Sequence, residues 1–261
     1  VGDPRYYQLR ALAELALGLD EQALEDAQKA FEMDITDLET YLILAEAYFE
    51  NDQPREAEQA VFTYGQYRQD DARYWAFSGR TQYEQGKFED AFAALEQAIE
   101  LNPELAIAHQ YYGLTALALD EASLALNELI IARNLMPGVF DISLGLARAF
   151  QAVENLSDAF LQINATEKLA HTNEDLAEVY YYRAQIAHGL SQFAQEKLDW
   201  QALLDLPEDD VPEAWLIEAD LYFNPPTETP TPTETSTATI TLTPTASSTA
   251  TPLTGTATPS P

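Results

Sequence analysis

Small and apolar residues recur along this chain at a spacing of 34. Ala23, Ala57, Ala91, Ala125 and Ala159 form one unbroken column. A second column, Ala11, Ala45, Gly79, Gly113 and Ala147, holds only small residues. A third, Tyr7, Tyr41, Trp75, His109 and Ser143, is bulky and fades at its end. A fixed period of this length predicts a solenoid of stacked helical hairpins. Small residues are needed where two helices cross closely, and bulky ones fill the gap beside them. Pro103 and Pro137 close the third and fourth units, because proline cannot continue the helical hydrogen-bond ladder.

The register places repeats at residues 4–37, 38–71, 72–105, 106–139 and 140–173. A slip of about three residues near Thr172–Glu174 precedes a sixth, degenerate unit at about 177–210. Ala184 and Ala187 hold its small positions, but Glu196 replaces the alanine of the ladder, which weakens the case for its second helix. Residues 211–224 are expected to form a terminal capping helix and to complete a solenoid over 1–224. Asp210 with Glu213 reads as a capping box, and Pro212 suits a first turn. Trp215, Leu216, Ala219, Tyr222 and Phe223 supply a face to lay on the last repeat.

The third unit carries Trp75, Gly79, Tyr83, the run Gly86-Lys87-Phe88-Glu89-Asp90-Ala91, then Leu95, Ala98 and Leu101-Asn102-Pro103. The fourth carries Tyr112-Gly113, Ala125, Leu129, Ala132 and Leu135-Met136-Pro137. In these residues the chain resembles the tetratricopeptide repeat (TPR) family over roughly residues 4–210. The resemblance implies an all-α fold, a right-handed superhelical solenoid of about six hairpins. It also implies a groove, lined by the first helix of each hairpin, that holds a peptide or a segment of a partner.

By register those groove positions are Arg5 and Gln8; Glu39, Leu42, Glu46 and Phe49; Arg73, Ala76, Arg80 and Tyr83; Ile107, Gln110, Leu114 and Leu117; Asp141, Leu144, Arg148 and Gln151; and Glu178, Tyr181, Gln185 and His188. The resemblance thus puts Arg73, Arg80 and Arg148 beside an apolar patch of Tyr83, Leu114 and Leu117. That set could take an extended segment with apolar side chains and a few carboxylates. The arginines could equally serve to neutralise neighbouring acids, as Arg80 with Glu84 four residues on. Some family members clamp a chaperone's C-terminal carboxylate. Gln8 and Leu12 stand where that clamp needs Lys and Asn, so this role is rejected.

Charge narrows the partners. The chain of 261 residues has 44 acidic and 13 basic residues, a net charge of -31. Such a surface repels phosphate backbones and anionic lipid faces, which argues against nucleic acid and membrane partners. Cysteine is absent, which removes disulfides, thiolate metal sites and cysteine nucleophiles. No apolar run reaches the ~18 residues of a membrane span. The sequence starts at Val1, which leaves room for a removed export signal.

At Pro225 the composition changes to threonine, proline, serine and alanine, with Glu228 and Glu234 the only charges to Pro261. Threonine takes every odd position here: Thr227, Thr229, Thr231, Thr233, Thr235, Thr237, Thr239, Thr241, Thr243 and Thr245. Pro230, Pro232 and Pro244 exclude a regular central strand. An extended tail over 225–261 is expected, with those threonines as candidates for O-linked sugars. The tail is similar in composition to the Thr/Pro tracts of bacterial surface and secreted proteins, so an extracellular or cell-surface location is expected, with the cytoplasm as the alternative. The bare-linker reading of the same segment stays open.

No enzyme motif occurs: there is no His-Glu-x-x-His, Walker loop or Gly-x-Ser-x-Gly. His109 fills the bulky column, and acidic pairs such as Asp70-Asp71 lack the spacing of a calcium loop. No cofactor or metal is called for, sugars being the one covalent addition. Asn155-Leu156-Ser157 and Asn164-Ala165-Thr166 fit N-glycosylation sequons. The sequence thus reads as a non-catalytic protein-interaction scaffold. The expected partners are copies of itself, in a head-to-tail polymer whose tails reach neighbouring subunits. The alternative is a monomeric adaptor that binds another protein's peptide in its groove.

Overall fold

The computed structural model describes residues 2–225. The threonine-rich segment and its candidate sugar sites from Thr227 to Thr245 lie outside the described residues. Val1–Pro225 form one compact unit. Six helical hairpins follow one another. They pair α1 (Pro4–Leu15) with α2 (Asp20–Met33), α3 (Leu38–Glu50) with α4 (Pro54–Gly65), and α5 (Ala72–Glu84) with α6 (Phe88–Leu101). Next come α7 (Ala106–Ala118) with α8 (Ala122–Leu135), α9 (Phe140–Ala152) with α10 (Leu156–Thr166), and α11 (Asn173–Gly189) with α12 (Phe193–Leu204). Helix α13 (Glu213–Phe223) closes the stack against α12. Each hairpin packs on the next, so the core is a strip running the length of the solenoid.

The period has a physical basis at each step. All five ladder alanines are fully buried at the crossing within their hairpins. Four residues on lies a column of growing side chains, Ala27, Val61, Leu95, Leu129 and Ile163, all buried. These explain the glycines facing them. A Cβ on Gly79 would sit 2.4 Å from Leu95 Cγ, and one on Gly113 would sit 2.6 Å from Leu129 Cγ. The bulky column is a set of latches. Tyr41 Oη donates to the Ile35 carbonyl at 3.2 Å, and Trp75 Nε1 donates to the Gln69 carbonyl at 2.8 Å. His109 Nε2 reaches the Pro103 carbonyl at 2.9 Å. Each partner lies six residues back, in the loop between repeats.

Two further 34-residue columns hold the hairpins in place. Asp3, Asp37 and Asp71 cap the first helices of their units, each accepting from the backbone N–H two residues on. Gly18, Asp52, Gly86, Asp120 and Glu154 all take positive φ at the turn inside the hairpin. Glycine fills this left-handed position only twice, so the other units carry local strain.

The C-terminal end departs from the sequence reading. Helix α11 starts at Asn173 rather than near 177, because Thr172 and Asp175 form a reciprocal capping box there. Its 17 residues absorb the slip, against 13 in α9. The second helix of the sixth unit is formed, and Glu196 is buried in it. The expected Asp210–Glu213 capping box is not. Asp210 ends a short 3-10 turn and accepts from Asn173 Nδ2 at 2.8 Å, and α13 has no side-chain cap. Trp215 stacks on Tyr181 with ring centroids 4.2 Å apart, and Leu216, Ala219 and Phe223 pack with Trp200 and Leu203.

Candidate functional site

The first helices α5, α7, α9 and α11 bring together Tyr83, Tyr111, Leu114, Leu144 and Arg148 with Glu84, Asp141 and Glu178 around a cavity of about 290 Å³. Glu84 also borders a second cavity of about 490 Å³ toward the N-terminus, lined by Phe49, Arg55, Glu58 and Arg80. The two share Glu84, and the start of α4, with Pro54, Arg55 and Glu58, forms part of the second cavity's wall.

The three arginines have different fates. Arg73 is committed to its own neighbours: it meets Glu39 and Asp71 at 2.6 Å each and donates to Tyr64 Oη at 3.2 Å. Arg80 lies under the groove floor, 12% exposed, and donates to Glu50 at 2.8 Å. Its guanidinium sits 4.3 Å from the Phe49 ring centre and 5.3 Å from that of Tyr111. Its acidic partner is therefore Glu50 of α3, not Glu84 on its own helix, because the two aromatic rings hold it between hairpins. Arg148 stacks at 5.0 Å over Tyr182 and has no carboxylate within ion-pair distance among the described residues. Tyr83, Leu114 and Arg148 thus meet in one cavity. Arg73 and the half-buried Leu117 do not line it.

The dominant electrostatic feature is acidic. Burial pushes the carboxyls of Glu46, Glu84 and Asp141 above their ordinary range, and nearby Arg80 only partly offsets this. Burial, then the charge of Asp141, pushes Glu178 up to about 7, while Arg148 pulls it back. Three of these acids, Glu46, Asp141 and Glu178, occupy groove positions by register, as the arginines do. Glu84 and Tyr111 were missed as groove residues. Tyr111 was legible from its column with Ile43 and Phe77. The excess of acids over bases was the sign that the groove itself would be acidic.

Other candidate chemistry is accounted for by packing. His109 bridges Glu128 and Pro103. Asn164 of the second sequon donates to the Phe160 carbonyl and accepts from Arg183, and Thr166 is fully buried against Ser143. Sugar attachment there would have to break the helix pair, so the sequence-level sequon does not translate into a site. Among the described residues no His, Cys, Asp and Glu group is arranged to hold a metal ion, and no helix is long and apolar enough to cross a membrane.

Profiles of the tetratricopeptide repeat match residues 15–80 and 72–105. The chain carries tetratricopeptide repeats. PilF of Pseudomonas aeruginosa is similar in fold, with a TM-score of 0.57 at 20% identity, over 77% of this chain and 90% of PilF. The Cut9–Hcn1 hetero-tetramer of the APC/C gives 0.69 at 15% identity, over 83% of this chain but 43% of that one. YrrB, a TPR protein with an unusual peptide-binding site, gives 0.53 at 15% identity, over 74% of this chain and 97% of YrrB. These likenesses concern the fold. No curated protein matches the chain significantly. TPR proteins serve as scaffolds or adaptors that bind proteins or peptides.

Proposed function

We propose that this protein is a non-catalytic scaffold whose first-helix groove takes an extended partner segment, one in which apolar side chains alternate with lysine or arginine. The carrying observation is the cavity of Tyr83, Tyr111, Leu114 and Leu144, where Glu84, Asp141 and Glu178 outnumber Arg148. A carboxylate held partly protonated by burial gains most from an incoming cation, which replaces the lost water. The peptide-binding site of YrrB supports the same reading by likeness of fold. The test is calorimetry with two synthetic peptides, one alternating leucine with lysine and one alternating leucine with glutamate. The basic peptide should bind and the acidic one should not. Because Glu178 titrates at about 7, affinity should rise from pH 6 to pH 8, and Glu178→Gln should flatten that rise. Equal binding of both peptides would reject the reading.

A second reading, end-to-end association, is favoured by the outer face of α1. Thr40, Tyr74, Ala108 and Ile142 form one column, and Ile43, Phe77, Tyr111 and Gly145 another, each packed toward the preceding hairpin. Gln8 bonds Thr40, Phe49 stacks on Phe77, and Tyr83 meets Tyr111. In α1 the same columns hold Tyr6 and Leu9, 58% and 69% exposed. The proposed occupant is the exposed stripe of α13, Ile217 and Leu221, of a second copy. Charge fits: α1 offers Arg5, with Arg10 balanced by Asp26 and Glu14, and α13 carries Glu213, Glu218 and Asp220 with no base. Such a heterologous contact extends as an open chain. In sedimentation at ~0.15 M salt, where self-repulsion is screened beyond ~8 Å, mass should grow with concentration. Leu9→Glu and Ile217→Lys should each stop growth, and their mixture should stop at a dimer. A monomer at all concentrations rejects it. Surface location and O-linked sugars from Thr227 onward belong to this proposal on composition alone. Intact mass of protein from the native host checks the sugars.

A further inference from the structure

The position where the ladder breaks, Glu196, has a role that neither packing nor the groove explains. At every other unit this crossing is an alanine, fully buried. Glu196 is 4% exposed, so a carboxylate has been placed where the fold asks for a methyl group. One carboxylate oxygen meets His188 Nδ1 at 2.9 Å, and the other, Oε2, is buried with no hydrogen-bond partner. Beside it lies a cavity of about 400 Å³, lined by Glu196, Glu218, Trp200, Tyr222, Gln185 and Leu221 among others. Helix α13 supplies one wall, and the Trp200 and Tyr222 ring centres stand 6.2 Å apart. His188 is the only basic side chain lining it.

We propose that this cavity is a receptor for a single arginine or lysine side chain of a partner peptide. Each part of the lining meets one part of such a chain. The aliphatic stem lies against Leu221 and the aromatic rings, whose faces also attract a cation. The charged head donates to the unpartnered Glu196 oxygen, with Glu218 adding a second negative charge at the mouth. An anion is excluded by the two carboxylates. A wholly apolar ligand would leave Glu196 Oε2 buried without a partner. The occupant is not this chain's own segment 225–261, which contains no lysine or arginine. The cavity shares no lining residue with the groove cavity of Glu178, so the groove proposal and this one stand or fall separately, whereas Leu221 and Glu218 also lie on the α13 face proposed for end-to-end contact.

The test uses the full chain, labelled with 15N, and blocked tripeptides whose central residue is arginine, lysine or citrulline, the neutral isostere of arginine. The readout is the assigned indole resonance of Trp200. The arginine and lysine probes should shift it saturably, with a dissociation constant at or below about 10 mM, and citrulline should not. Glu196→Ala, which restores the ladder, should weaken binding at least about tenfold with a melting temperature equal to or above that of the wild type. Glu178→Gln should leave it unchanged. The proposal is overturned if citrulline binds as well as arginine, if no probe saturates, or if Glu196→Ala binds normally. A fall in melting temperature for Glu196→Ala together with unchanged binding would show that Glu196 serves only to hold His188.

Discussion

The first and sixth hairpins carry the same ion pair at the same register, and the two pairs do different things. Arg10 reaches across to Asp26 of α2, and Arg183 reaches across to Asp199 of α12, each pair sixteen residues apart. In the first unit the arginine is half exposed, 45% by side chain, although Asp26 is only 7% exposed. In the sixth, Arg183 and Asp199 are 7% and 2% exposed. Arg183 there also meets Glu167 at 2.6 Å and Asn164 at 3.1 Å, stitching three elements together. Between the two ends the register changes chemistry. It holds Leu44 and Ala60, then Ser78 and Ala94. It then turns polar again, with Glu128 on His109 and Gln162 donating to Ser143 Oγ at 2.7 Å. An identical pair is half open at one end and a buried network at the other because Asn164, Glu167, Gln195 and the Tyr180 ring enclose the latter.

The largest expected effect breaks that contrast directly. Arg183→Ala should cost about 3–5 kcal/mol, because it strands Asp199 in the interior. Arg10→Ala should lower the urea midpoint by less, since Arg10 is half exposed and water reaches the 7%-exposed Asp26 once the guanidinium is gone. The double change Arg183→Met with Asp199→Leu should recover much of the loss, because it removes both buried charges at once. Equal midpoints for Arg183→Ala and Arg10→Ala would mean that the two environments do not differ as described.

Next in size is the crossing itself. Ala91→Leu or Ala125→Leu should destabilise by roughly 1–3 kcal/mol, since both alanines are fully enclosed. Glu196→Leu, at the same register, should cost less than either, because the site already holds a long side chain beside a cavity. Thermal unfolding of the three variants measures the order. A smaller effect is expected at the hairpin turns. Glu154 has φ of 60°, a strained conformation for a side-chain-bearing residue. Glu154→Gly should therefore stabilise by about 0.5–1 kcal/mol, net of the greater freedom glycine has when unfolded. Gly86 already occupies the equivalent turn, so Gly86→Ala should destabilise.

Much of this architecture was legible because a solenoid repeats its constraints. One column of alanines predicts every crossing, and Leu95 over Gly79 predicts Leu129 over Gly113. The caps Asp3, Asp37 and Asp71 and the left-handed turn residues obey the same period, although neither column was read as one. What could not be read was which partner a charged side chain selects. Helical spacing pairs Arg80 with Glu84, four residues on, but two aromatic rings from neighbouring hairpins direct it to Glu50. Desolvation was equally invisible: the register puts Glu178 on the groove side, but only the walls of Tyr83 and Leu144 bury it. The break at Glu196 was visible as an anomaly, but its meaning needed the cavity formed by α13.

The subtlest expected effect concerns pH. His109 has acceptors on both sides, the Glu128 carboxylate at 2.6 Å from Nδ1 and the Pro103 carbonyl at 2.9 Å from Nε2. Only the doubly protonated ring can donate to both. The hydrogen bond that His109 donates to Glu128 raises the His109 pKa above its ordinary value, burial opposes the rise, and the Pro103 carbonyl adds to it. A group whose pKa is raised by folding gives its full contribution below the unfolded value, near 6.5, and loses it as pH rises through the folded value. His109→Tyr supplies the comparison, because a phenol can make the single bond to the loop carbonyl that Tyr41 makes in the second unit, and it stays protonated to about pH 10. The wild type should be most stable relative to this variant near pH 6. That advantage should shrink steadily by pH 9. A difference in melting temperature that stays flat across this range would show that the ring is neutral in the folded protein, with Glu128 carrying the shared proton instead.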